Sequence, residues 1–167
     1  MITEIRNGMA VTRYHTHPRL RTETVGHHSA NVCAILLRIE PNCARDLLVR
    51  ALMHDVPEYY TGDVPAPAKW DSPDLKDELD RREGYYIVKH SIPDPELTPQ
   101  QGTLLKAADM LDLVLSSIEE VKMGNSYANK LVSTGREYIM GLGLPGHARR
   151  AIEAMIEEVW EYQYERE

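Results

Sequence analysis

Four side chains able to hold a metal stand where the hydrophobic pattern calls for apolar residues. His28 lies between Val25 and Val32 in a stripe of helical period. His54-Asp55 closes an apolar segment, Leu47 to Met53, and Asp109 sits beside Ala108 and Leu111 on the inner side of a later segment. A buried carboxylate or imidazole without a partner is costly, so groups brought together on packed faces must satisfy one another. One divalent cation would satisfy two imidazoles and two carboxylates at once. A mixed nitrogen and oxygen donor set suits Co, Mn, Ni, Zn or Fe better than Ca or Mg. Taken singly, each residue has a plainer reading. A histidine in an apolar stripe is most often a hydrogen-bonded core residue, and a lone aspartate is usually a cap or surface charge.

Other polar groups lie close in sequence. Glu58 follows His54-Asp55 by about one helical turn, which lets it face a water beside a metal. Lys106 precedes Asp109 by three positions and would share its helix face. Arg13, Arg19, Arg21 and Lys69 add positive charge in a chain of formal net charge −7, and guanidinium groups match phosphate oxygens. That net charge argues against a nucleic-acid polymer as partner.

The elements that must position these groups read as helices. Residues 24–39 carry Val25, His28, Val32, Ile35, Leu36 and Ile39 on one face, and residues 44–54 carry Leu47, Leu48, Ala51 and Leu52. Pro41-Asn42 separates the two. The proline-bound segment around residues 56–67 reads as loop or short helix. Ser72-Pro73 has the form of an N-cap and first helical position, opening a charged helix to about Lys89. Thr98-Pro99-Gln100-Gln101 has capping-box spacing and opens a long helix with Leu104, Leu105, Ala108, Leu111, Leu115 and Ile118, ended by Gly124-Asn125. Two more helices follow, over about 127–140 and 146–164. The last directs Ile152, Met155, Ile156, Val159 and Trp160 inward. Strand alternation is nowhere sustained. The expected fold is all-α, a compact single-domain bundle of about six or seven helices over residues 1–167.

Composition bounds the rest. With 167 residues, 43% apolar and 27% charged, the chain suits one globular domain. Cys33 and Cys43 are too few for a disulfide framework and read as reduced thiols. No segment has the ~20 apolar residues of a membrane span, and the first residues lack a signal-peptide core. The expected location is the cytoplasm of a bacterium, an archaeon or a phage-infected host.

The spacing His28, His54-Asp55, Asp109, the last within Lys106-Ala107-Ala108-Asp109, resembles the H…HD…D signature of HD-domain phosphohydrolases. Arg21-Thr22-Glu23-Thr24-Val25-Gly26-His27-His28-Ser29 is similar to the R-T-E-x-V-x-x-H-S run of the HD-domain 5′-deoxynucleotidases. Met53-His54-Asp55-Val56-Pro57-Glu58 and Thr61-Gly62-Asp63-Val64-Pro65-Ala66-Pro67-Ala68-Lys69 resemble that group's H-D-x-x-E and T-G-D-x-P-x-P-x-K stretches. The short phage dATP triphosphohydrolases share the scaffold, and the resemblance covers about residues 13–120.

The resemblance implies that His28, His54, Asp55 and Asp109 hold one divalent transition metal. It implies that Glu58 manages the proton of the attacking water, with Asp55 beside it. Arg13 and Tyr14 match the group's R-W pair, which packs on the nucleotide, and Asp63 would hydrogen-bond the deoxyribose. Lys69 and Lys106 would meet phosphate oxygens. Tyr14 and His15 depart from the tryptophan and proline of that pattern, which leaves base preference open. The implied reaction is metal-dependent hydrolysis of a 2′-deoxynucleotide, as a 5′-deoxynucleotidase or a dNTP triphosphohydrolase, by a homo-oligomer whose partner is that small molecule. Two other readings compete. One is a non-catalytic nucleotide-binding module, which would not need Glu58. The other is a cyclic-nucleotide phosphodiesterase, for which His27 and His90 could serve as extra ligands. Tyr162 and Tyr164 read as helix surface or subunit contact.

Overall fold

The computed structural model describes residues 2–162. It contains nine α-helices among those residues: α1 (Ile2–Met9), α2 (Val25–Ile39), α3 (Arg45–Met53), α4 (Glu58–Thr61), α5 (Ala66–Asp71), α6 (Pro73–His90), α7 (Pro99–Lys122), α8 (Asn129–Gly141) and α9 (Gly146–Glu161). The all-α expectation therefore holds, with more helices than periodicity revealed. Helix α1 is too short to display its period, and α4 and α5 lie in the proline-bound stretch read as loop or short helix.

Side-chain caps start the long helices, those of α6 and α7 where the sequence placed their signals. Thr24 caps α2 by accepting from the His27 backbone N–H. Ser72 caps α6, with Pro73 at the first helical position. Thr98 and Gln101 form the expected capping box on α7. Gly124, at φ 102°, supplies the left-handed turn just after α7.

The core lies between α2 and α7, with α3, α8 and α9 closing around them. Val32, Leu36, Leu111, Val114, Ile118, Ile139 and Ile152 are fully buried there. Leu52 and Trp160, expected to face inward, are exposed at 36% and 39%. Each lies at the edge of its stripe in a last helical turn, beyond the reach of the packed faces. Residues 163–167, including Tyr164 and the end of the last expected helix, lie outside the described residues. Tyr162 is exposed, and its backbone carbonyl accepts from Lys122. Cys33 and Cys43 are free thiols, as expected.

One small sheet escaped the sequence reading. β1 (Thr12–Arg13) pairs antiparallel with β2 (Glu23–Thr24), placing Thr12 opposite Thr24 and Arg13 opposite Glu23. Two-residue strands are too short to show alternation. This ribbon sets Arg13 beside Glu23, two residues before the start of α2. No helix among the described residues is long and apolar enough to cross a membrane.

Candidate metal centre

Three helices deliver the candidate ligands to one point. His28 projects from the second turn of α2 and is fully buried. His54 is the C-cap of α3, and Asp55 follows it. Asp109 comes from the third turn of α7. Ligand atoms of His28, His54 and Asp109 all lie within 4.8 Å of one another. His28 Nε2 is 3.2 Å from Asp109 Oδ1 and 3.6 Å from Asp55 Oδ2, and His54 Nε2 is 3.4 Å from Asp55 Oδ1. The structure thus brings together all four residues read as ligands. Asp109 differs in one respect from the buried inner position expected of it, because its side chain is 43% exposed. It stands at the rim of the cluster, with Oδ1 turned toward His28.

The tautomers follow from the partners. His54 Nδ1 lies 2.7 Å from the Ala51 carbonyl oxygen, which can only accept, so Nδ1 carries the proton. His28 Nδ1 lies 2.7 Å from Asp112 Oδ2, and by the same reasoning it donates. In its neutral form each imidazole presents an Nε2 lone pair to the cluster. Both Nε2 atoms are buried without a hydrogen-bond partner. Two such lone pairs converging on carboxylate oxygens form a donor set that fits a divalent transition metal. Burial lowers the His28 pKa, but the adjoining Asp109 and Asp112 carboxylates outweigh it and raise the value to about 9.

The charged surroundings are ordered. Burial pushes the Asp55 carboxyl up, while His54, Arg13, His28 and Lys69 together bring it down to about 2. Arg13 is buried, donates to Asp55 Oδ2, and has Nε 3.5 Å from Glu23 Oε1, its cross-strand neighbour. Glu58 opens α4 and is buried, with Oε2 lacking a hydrogen-bond partner. Burial first, and then the charge on Asp55, raises the Glu58 carboxyl to about 9. Lys69 on α5 acts electrostatically on Asp55, Glu58 and Glu83.

The remaining sequence candidates spread around this cluster. Tyr14 has the left-handed φ of 54°, with its backbone N–H donating to Asp63 Oδ2 at 2.7 Å. Its hydroxyl accepts from Arg13 Nη2 at 3.2 Å. The Arg13 and Arg19 guanidiniums lie 5.1 and 4.9 Å from its ring centroid. Lys106 is exposed on α7, one turn before Asp109. His90 stacks on Tyr60 at 5.1 Å and pairs with Glu4 at 3.8 Å, outside the ligand cluster. His27 is exposed on α2 and does not join the cluster either.

Sequence reasoning missed Asp112 and Glu23 as parts of this centre. Glu23 appeared only within a matching run of residues. Asp112 left a legible signal, being a carboxylate one turn beyond Asp109 on the apolar face of α7.

Comparison with known proteins places the chain. It is 28% identical over 142 residues to a 5′-deoxynucleotidase of Photorhabdus temperata, covering 71% of this chain and 72% of that one. It is 26% identical over 170 residues to a 5′-deoxynucleotidase of Photorhabdus laumondii, covering 81% and 86%. Among solved structures, the cyanophage S-2L HD phosphohydrolase DatZ, bound to dA and one catalytic Zn²⁺, shares the fold. Its TM-score is 0.74 at 17% identity, covering 96% of both chains. An HD-domain phosphohydrolase of Listeria innocua matches at TM-score 0.73 and 18% identity, covering 97% of this chain and 89% of that one. The family model described as 5′-deoxynucleotidase YfbR-like matches residues 2–158, and the chain belongs to that family of HD-domain phosphohydrolases.

Proposed function

We propose that this chain is a metal-dependent 5′-deoxynucleotidase, hydrolysing 2′-deoxynucleoside 5′-monophosphates to the deoxynucleoside and phosphate. The family supports a metal-dependent hydrolase acting on deoxynucleotides. The observation that carries the reading is the convergence of two protonated-Nδ1 histidines, with buried, unpartnered Nε2 atoms, on Asp55 and Asp109. His28, His54, Asp55 and Asp109 would hold one divalent ion, with Co, Mn, Ni, Zn or Fe suited to the donor set. When bound, such an ion supplies Lewis-acid chemistry that makes water nucleophilic near neutral pH and offsets phosphoryl charge.

The protein's own groups supply the rest of the mechanism. Arg13 and Lys69 bring fixed positive charge toward the phosphate, and Lys106 stands free to reach it from α7. Water oxygen bonds to phosphorus as the bond from phosphorus to the 5′ oxygen breaks. Glu58, acting as the carboxylate, takes the proton from water and passes that proton to the departing 5′ oxygen. Asp63 uses Oδ2 on the Tyr14 backbone, which leaves Oδ1 to accept from a deoxyribose hydroxyl. The buried Glu58 favours this reading over a non-catalytic module. The outlying positions of His27 and His90 give no support to a phosphodiesterase with additional ligands.

The chain would work as one domain over residues 1–167, as a homo-oligomer in the cytoplasm. Exposed Trp70, Tyr85 and Val88 on α5 and α6 support self-association. The deciding assay measures phosphate release from dAMP, dGMP, dCMP and dTMP with Co²⁺ or Mn²⁺, with AMP and dATP as comparisons. Release from the deoxynucleoside monophosphates and little from AMP is expected. No turnover of any deoxynucleotide would overturn the proposal, and release of triphosphate from dATP alone would reassign the substrate.

A further inference from the structure

Helix α7 addresses both nitrogens of one imidazole. Asp109 Oδ1 stands 3.2 Å from His28 Nε2, and Asp112 Oδ2 stands 2.7 Å from His28 Nδ1. The two aspartates are three residues apart and so share a helix face. Asp112 is buried, as is His28, so the contact lies behind the ligand cluster and away from its rim. We propose that Asp112 is a positioning residue for the metal. Its carboxylate fixes His28 with Nδ1 protonated, aims Nε2 into the cluster, and strengthens Nε2 as a donor.

A hydrogen bond made only for packing would not need a carboxylate. His54 shows this, since its Nδ1 is satisfied by the neutral Ala51 carbonyl. Burying a carboxylate is costly unless positive charge compensates it. Among the described residues, the only cationic partner within ion-pair distance of Asp112 is His28. Glu23, a further carboxylate near this contact, has Arg13 at 3.5 Å and Arg19 at 3.8 Å. Asp112 has neither arginine at such a distance. Its charge is balanced through the imidazole ring, which transmits it to whatever cation Nε2 holds. Carboxylates placed behind metal-bound histidines have this effect on ligand orientation and basicity.

The inference rests on the metal centre proposed above, and its test separates the two. Co²⁺ binding to the full chain is measured by calorimetry for wild type, Asp112→Asn and Asp112→Ala, together with the visible spectrum of bound Co²⁺. The thermal midpoint of each metal-free protein is recorded alongside. The asparagine keeps the shape and an acceptor but loses the charge, and the alanine loses both. Co²⁺ affinity is expected to fall about tenfold in Asp112→Asn and toward a hundredfold in Asp112→Ala. The Co²⁺ spectrum should change, and metal-free Asp112→Asn should still melt as a folded protein. Folded variants that bind Co²⁺ within threefold of wild type would overturn the role of Asp112. Failure of both variants to fold would also overturn it, by making Asp112 a core-forming group. A wild-type protein that binds no Co²⁺ would instead defeat the metal centre itself.

Discussion

The Arg13 guanidinium donates to Asp55 Oδ2, tying strand β1 to the His-Asp segment after α3. A residue read as a nucleotide contact is thereby bound to a residue read as a metal ligand. The two roles compete for one carboxylate, because a cation held by Asp55 must share it with the guanidinium. Arg13→Ala should therefore leave Co²⁺ affinity unchanged or tighten it up to ~10-fold, since a competing positive charge is gone. The same change should lower kcat/KM on a deoxynucleotide by about 10–100-fold, through loss of phosphate positioning. Arg13→Lys should not restore it, because an ammonium cannot span Asp55 and Glu23 together. Calorimetry and steady-state kinetics on the same preparations check both halves. Unchanged kcat/KM in Arg13→Ala would remove Arg13 from the substrate site.

The metal-free protein should lose stability as pH rises. Burial and the charge of Asp55 raise Glu58 to about 9, and the adjoining Asp109 and Asp112 carboxylates raise His28 to about 9 against its burial. Each group binds its proton more tightly folded than unfolded. Their stabilising contribution is complete below the unfolded values, near 4.5 for Glu58 and 6.5 for His28, and is lost as pH climbs through about 9. The chelator-treated protein should thus melt lower at pH 9 than at pH 6. Glu58→Gln should shrink that difference by removing one of the two titrations. Cation binding should reverse the trend, since it requires His28 without its second proton and so strengthens as pH rises. Melting curves at pH 6, 7.5 and 9, with and without Co²⁺, test this. A flat metal-free profile would show that neither proton is retained.

Much of the centre was legible because helices report through period and caps. His28 interrupts an apolar stripe, and Thr98 and Ser72 mark helix starts by side-chain chemistry that acts within three residues. What stayed hidden depends on contacts distant in sequence. The Arg13–Glu23 pairing spans a ribbon of two-residue strands, which has no periodic signature. The Asp112–His28 contact spans 84 positions and becomes visible only when α2 packs on α7. Asp109 was placed inside by its apolar neighbours, yet it faces the rim, because pattern cannot distinguish a core face from the wall of a site.

Tyr14 and Asp63 support each other through a single hydrogen bond. Tyr14 holds a left-handed φ of 54°, unfavourable for a residue with a Cβ, and its N–H finds the Asp63 carboxylate at 2.7 Å. Asp63→Ala would release the turn and leave that N–H without its acceptor. KM for the deoxynucleotide should rise at least tenfold, with Co²⁺ affinity within about threefold of wild type, because Asp63 holds no ligand nitrogen. Asp63→Asn keeps an acceptor for Tyr14 and should give a smaller rise. A KM unchanged in Asp63→Ala would separate this turn from the substrate.

Helix α1, which left no sequence signal, braces the His-Asp segment from outside. Gly8 packs so tightly against Val56 that an added Cβ would stand 2.5 Å from the Val56 carbonyl oxygen and 2.8 Å from its Cγ1. Val56 is fully buried and follows Asp55 directly, so it cannot yield without moving that carboxylate. Gly8→Ala should therefore cost about 1–3 kcal/mol in urea unfolding, as overpacking does, and should weaken Co²⁺ binding several-fold. Gly84→Ala gives the contrast. Gly84 lies within α6 with nothing within 4 Å of an added Cβ. Alanine there should stabilise the protein by about 0.5–1 kcal/mol through helix propensity and leave Co²⁺ affinity unchanged. If Gly8→Ala loses stability but binds Co²⁺ as tightly as wild type, α1 supports the core without positioning the metal ligands. A parallel loss of both would make the Gly8–Val56 contact part of what holds Asp55 in place.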